Sequence, residues 1–156
     1  MSITFSAKGT KMAKNIEQFD EYTGRIFAHL YENFPVPVSL SPRNFLDCGS
    51  ISISADEYVY TTDEAKIFLA TAKWLVMTGY IHSKGEKKSY ISEAVLTAKG
   101  LEILKATPSS VVGGPSLGDK LATAAKEEGR EALRSLVSEA LSLGARLISP
   151  LVGLSS

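Results

Sequence analysis

Residues 61 to 104 read TTDEAKIFLATAKWLVMTGYIHSKGEKKSYISEAVLTAKGLEIL, and the order of signals along this stretch decides the fold. Thr61 and Glu64, just ahead of an apolar-periodic run, have the form of a capping box, in which hydroxyl and carboxylate satisfy each other's free backbone amides. Ala65, Phe68, Leu69, Ala72, Leu75 and Val76 then recur at helical offsets and form one face of a helix. Gly79 is the expected stop, as a glycine just past a last turn usually is. Tyr80 and Ile81 are strand formers, His82 to Ser89 is a polar tip with Lys84, Lys87 and Lys88, and Tyr90 to Leu96 is strand-like again. Thr97 is placed to cap a short helix through Leu101 and Leu104. Helix, strand, basic tip, strand and helix opener together predict a helix followed by a β-hairpin.

Upstream, Asn15 with Gln18 repeats the capping pattern, and Ile16, Phe19, Thr23, Ile26, Phe27, Leu30 and Phe34 keep helical spacing up to Pro35. The outer face of that helix would bear Glu17, Asp20, Glu21, Arg25 and Glu32, acidic on balance and a poor partner for DNA. Pro35 to Leu40 alternates and suits an edge strand, where proline need not donate to a ladder. Ser41 and Pro42 look like the cap and first position of a short second helix over Arg43 to Leu46.

The run WLVMTGYI, a polar wing and then AVLTAKGLEIL resembles the winged helix-turn-helix of bacterial regulators of the MarR and PadR types, over residues 15–106. The resemblance implies an α+β fold, a three-helix core with a β-hairpin wing. The helix ending at Gly79 would be the recognition helix and Lys84 to Lys88 the wing. Winged helices also bind protein, so the likeness bears on fold more than on function.

One departure from that pattern is long. A helix-turn-helix joins its helices by a turn of about 3 to 4 residues, whereas Asp47 to Tyr60 is fourteen residues containing Ile51, Ile53, Tyr58 and Val59. Either an extra strand or small helix is inserted there, or the second helix lies elsewhere. Asp47, Asp56, Glu57, Asp63 and Glu64 also place five acidic residues, and no lysine or arginine, between 47 and 64. Carboxylates suit a helix amino terminus through its dipole, by roughly 0.3 to 1 kcal/mol each, but they repel phosphates at the turn that enters a groove. Opposite the core stripe lie Lys66, Ala70 and Lys73. On the flank Ile67, Thr71, Trp74 and Thr78 form a further row, and a helix apolar on two sides is usually buried on two sides.

The rest of the chain differs in kind. Residues 1–14 carry Lys8, Lys11 and Lys14 without an acid and read as a mobile basic arm. Residues 107–118, TPSSVVGGPSLG, are a linker by composition. Residues 119–149 predict one amphipathic helix, about 45 Å long at about thirty residues, with Leu133, Leu136, Ala140, Leu143 and Leu147 on its apolar face. Residues 150–156 form a tail. That leucine face must leave water, and it has three candidate partners: the winged domain of the same chain, the equivalent helix of a second chain, or a membrane surface. Five acidic and five basic residues balance between Asp119 and Arg146, which disfavours the membrane, whose surface helices are rich in lysine and arginine. A tail that inserts after a trigger stays open, because Ala140 to Leu154 has the single charge Arg146. Gly129 and Gly144 either weaken this helix or mark a close approach.

Composition sets the limits. The chain has 156 residues, 44% hydrophobic and 22% charged, with 17 basic and 17 acidic side chains in balance; zero net charge argues against a non-specific nucleic-acid coat but not against a basic patch. Residues 1–14 lack the apolar core of a secretion signal, no stretch is apolar enough for a membrane span, and the lone Cys48 makes no internal disulfide, so a cytoplasmic location is expected. There is no phosphate-cradling glycine loop and no nucleophile elbow, and His29 and His82 lack ligand-spaced neighbours. No enzyme, cofactor or metal is therefore expected.

Two functions from different classes follow. In the first, a DNA-binding regulator uses wing lysines Lys84, Lys87 and Lys88, arm lysines Lys8, Lys11 and Lys14, and Lys66, Thr71 and Lys73 on the recognition helix. It self-associates through Leu133, Leu136, Ala140, Leu143 and Leu147. In the second, an interaction protein of the same fold docks a protein partner and has no DNA duty.

Overall fold

The computed structural model describes residues 13–47, 52–54, 59–107 and 114–155, with side chains described as far as residue 147. Among them are five α-helices and a small antiparallel sheet of four strands, an α+β arrangement. Chain order is α1 (Lys14–Asn33), β1 (Val38–Leu40), a single 3-10 turn (Pro42–Asn44), α2 (Asp63–Met77), β2 (Ile81–His82), β3 (Gly85–Glu86), β4 (Ile91–Leu96), α3 (Ala98–Lys105), α4 (Leu117–Lys126) and α5 (Arg130–Ser155).

Strand β4 is the centre of the sheet. It pairs with β1 through Val38↔Ala94 and Leu40↔Ile91, with β2 through Ile81↔Leu96, and with β3 through Gly85↔Ser92. The β1 register shifts by one residue beside Glu93, whose φ of 48° marks a bulge. Ile91, Ala94 and Leu96 point into the core.

Helix α1 is buried on nearly every side. Ile26, Phe27 and Leu30 join Phe68, Leu75 and Ile103 in one cluster, and Leu117, Leu121, Leu133 and Val137 of α4 and α5 complete the same cluster. Gly24 allows α5 a close approach: a methyl group there would lie 3.0 Å from Leu133 Cδ2 and 3.1 Å from Val137 Cγ2. The α1 face expected to be outer and acidic is therefore the seam on which α4 and α5 sit. Glu21 accepts from Arg25 Nε at 3.2 Å and lies 3.7 Å from Arg130 Nε, and Glu32 lies 3.5 Å from Lys126 Nζ. Asp20 is buried, and loss of water around its carboxyl raises its pKa, opposed by nearby Arg134.

The one long helix expected over 119–149 is two helices, and the apolar-face residues Leu133, Leu136, Ala140, Leu143 and Leu147 all fall on the second, α5. Helix α4 starts earlier, at Leu117, inside the stretch read as linker, with Ser116 Oγ accepting from Asp119 N at 3.1 Å. It stops at Glu127. Glu128 takes φ 54° and Gly129 N donates back to Ala124 O at 2.9 Å, so α5 leaves in a new direction. A straight helix could not lay Leu121 and Ala140 on one core, whereas this turn lets both be buried. Gly129 thus punctuates the helix pair, while Gly144 marks a close approach to Tyr80.

Caps also differ from expectation in detail. Helix α2 is capped by Thr62, which accepts from Ala65 N at 3.2 Å, because the Thr61 hydroxyl is engaged with Ser52 O, also at 3.2 Å. Helix α1 follows Ala13 without a side-chain cap, so Asn15 lies inside it. The expected second helix over 43–46 is only the 3-10 turn at Pro42–Asn44. The long connection before α2 carries an antiparallel bridge, Ile53↔Tyr60, the extra strand-like element that its length requires.

Candidate functional site

The outward side of α2 is built by the same spacing that fills the core. Ala65, Phe68, Leu69, Ala72 and Leu75 turn inward, and Thr71, three residues beyond Phe68 and four before Leu75, goes in with them at 3% exposure. Thr71 therefore cannot approach a base, and its place among the base-reading candidates is corrected. Lys66, Ala70 and Lys73 stay exposed. Trp74 is half-packed: its indole meets Phe19 edge-on at 5.2 Å and stacks near Tyr80 at 6.3 Å, yet 36% of it is exposed. Met77 ends this face at 75% exposure.

The hairpin leaves α2 through Thr78 and Gly79, whose φ of 87° suits glycine. Lys87 N donates to Tyr90 O at 2.8 Å and closes the tip. Lys84, Lys87 and Lys88 are all exposed there. Lys84 Nζ lies 3.7 Å from Glu93 Oε1, both ends in water, a pairing worth little. Among the described residues no carboxylate lies within ion-pair distance of Lys66, Lys73, Lys87 or Lys88. Of the arm, Lys8 and Lys11 lie outside the described residues; Lys14 opens α1, exposed, and lines a shallow pocket together with Gln18, Asp63, Glu64 and Lys66.

The acids stand close by. Asp63 and Glu64 occupy the first turn of α2, where the helix dipole favours them. A cleft of about 500 Å³ between α1, α5 and the segment at Phe45 is lined by Glu21, Arg25, Asp47, Glu64, Arg130 and Arg134, so both signs of charge share it.

The junction of α2 and the hairpin is held by residues whose role the spacing did not reveal. The Thr97 hydroxyl donates to Gly79 O at 2.6 Å while its oxygen accepts from Gly100 N at 3.1 Å. Lys99 Nζ donates to Thr78 O at 3.0 Å and sits 4.1 Å above the Tyr80 ring; burial lowers its pKa. The cap at Thr97 was readable along the chain, but nothing there says that Lys99 folds back onto the end of α2. Lys99 is thereby a structural tie rather than a free cation.

The leucine face splits in the same way. Leu133 and Ala140 are fully covered within the chain, and Leu136, Leu143 and Leu147 are partly buried against its core. Leu133 and Ala140 are thus not free for self-association, because the same chain already removes them from water. Among the described residues no helix is long and apolar enough to cross a membrane, and no group of three His, Cys, Asp or Glu side chains could hold a metal ion. Comparison with known proteins gives no match to a family model, to a curated protein or to a solved structure.

Proposed function

We propose that the chain is a non-enzymatic, winged-helix module that binds double-stranded DNA, with α2 as reading helix and the β2–β4 hairpin as wing. One observation carries this reading: Lys66 and Lys73 lie two turns apart on the exposed side of α2, and the hairpin that follows this helix exposes Lys87 and Lys88, which have no ion-pair partner among the described residues. Seven residues of helix separate the two α2 lysines by about 10.5 Å, the scale on which a helix follows a groove. Helix, strand, helix and hairpin follow the order of a winged helix, with the 3-10 turn at Pro42–Asn44 standing where that fold has its second helix. The reading implies a regulator-like role and a cytoplasmic location. It does not rely on pairing of two chains through α5, whose central residues are occupied in cis.

The test is retention of labelled duplex over a salt series. Lys87→Gln with Lys88→Gln should weaken binding and flatten the slope of log affinity against log salt by about 1.8, roughly 0.9 for each phosphate that a lysine no longer neutralises. No retention by the parent chain at low salt, or an unchanged slope, refutes the reading. A second reading, protein docking on the same face, is favoured by the exposure of Met77, Trp74 and Ile16. Under it Met77→Asp abolishes partner capture, whereas the charge changes on the wing leave capture intact.

A further inference from the structure

Tyr80 is where the carboxy-terminal helix meets the α2 face. Its backbone is fixed from two sides: its N–H donates to Leu75 O at 3.0 Å, and its carbonyl accepts from Thr97 N at 3.1 Å. Its ring lies between Phe27 at 5.8 Å, the stacked Trp74 and the Lys99 ammonium. The outer end of the ring rests on α5 at Gly144, where a methyl group would lie 2.8 Å from Tyr80 Cε1 and 2.9 Å from Cζ and would collide with the hydroxyl. A glycine at this one point therefore lets the ring take its position, and any change in how α5 lies there must move the ring.

From this we infer that α5 is a built-in clamp on the α2 face: by holding the Tyr80 ring it fixes Trp74, and an event that lifts the Gly144 region of α5 changes the surface presented by Trp74 and Met77. The clamp extends the duplex-binding reading by giving that face a regulator, but its own readout needs no duplex. Coupling of this kind is reciprocal: a ligand that prefers the stacked Trp74 also tightens α5, and anything that draws α5 away weakens that ligand. The coupled groups are contiguous from Gly144 through Tyr80 to Trp74, which supplies a physical route rather than mere distance.

Trp74 is the single tryptophan of the chain, so tryptophan emission reports on the surroundings of this one side chain. The experiment compares emission maximum and acrylamide quenching in the unmodified chain, Gly144→Ala and Gly118→Ala, with circular dichroism confirming the fold. Gly118→Ala is the control, since a methyl there meets the Tyr31 ring at 2.6 Å, at the α4–α1 contact and away from Trp74. Gly144→Ala is expected to red-shift the emission and increase quenching, Gly118→Ala to leave both unchanged, and Tyr80→Phe added to Gly144→Ala to restore part of the shift by removing the colliding hydroxyl. If Gly144→Ala does not fold, Leu143→Ala with Leu147→Ala loosens the same part of α5 and is expected to give the same red shift. Unchanged Trp74 emission in a folded variant, or equal changes in Gly144→Ala and Gly118→Ala, overturns the clamp. Loss of duplex binding in the unmodified chain overturns only the duplex reading.

Discussion

Replacing Leu133 by alanine tests whether α5 belongs to the core of its own chain. Leu133 has no exposed surface, and its side chain packs against α1 at Gly24, where there is no side chain to swing into the space. Relaxation should therefore be small, and Leu→Ala in such sites costs about 2 to 5 kcal/mol, through lost transfer energy and the cavity left behind. A loss of about 3 kcal/mol at a urea dependence of about 2 kcal/mol per molar moves the unfolding midpoint down by roughly 1.5 M. In heat the same loss is roughly 6 to 12 °C of Tm for a chain of this size. Urea unfolding should be followed by Trp74 emission and far-ultraviolet circular dichroism together, at two protein concentrations tenfold apart. The expected result is one shared transition, shifted by that amount and independent of concentration. A shift below about 1 kcal/mol, or a midpoint that moves with protein concentration, would refute packing in cis, because an interface between chains is stabilised by mass action.

Further outcomes follow from single contacts. Gly100→Ala should destabilise although alanine gains about 1 kcal/mol of helix propensity over glycine, since the added methyl meets the backbone carbonyl of Tyr80, which cannot swing away; a rise in Tm would contradict this. Thr97→Ala should cost about 1 to 2 kcal/mol, because the hydroxyl both caps α3 and ties Gly79, and calorimetry reads the loss. Asp20 has its folded pKa raised from 3.8, so the stability it contributes is fully present below that value and is lost as pH rises through the raised pKa. Asp20→Asn should therefore gain on the parent chain between acid and neutral pH in urea unfolding; a gain that shrinks toward neutrality would contradict the sign.

The exposure of several candidate side chains was legible because it depends on local rules. Lys84, Lys87 and Lys88 sit at an exposed hairpin tip because the polar run between two strand-forming segments can do little else, and Lys66 and Lys73 are exposed because the apolar residues of α2 take the other side. Thr71 was misread because a threonine on a flank is ambiguous by spacing alone; only tertiary packing, which leaves it 3% exposed, decides that this flank is covered. The cap of α2 moved by one residue for a similar reason, the bridge to Ser52 having engaged Thr61 first.

By itself the sequence determined the helix and hairpin of residues 61–104, the stop at Gly79, the Thr97 cap and the need of the α5 leucine face for a partner. All of these rest on periodicity and on short-range hydrogen bonding, which act over one or two turns. The tertiary structure decided that the partner is α1 of the same chain, that the acidic side of α1 is an ion-paired seam, and that the helix breaks at Glu128 and Gly129. Those outcomes depend on which surfaces meet across almost a hundred residues of chain between α1 and α5, and no local pattern encodes a contact that forms only when one core closes around α1 from both sides.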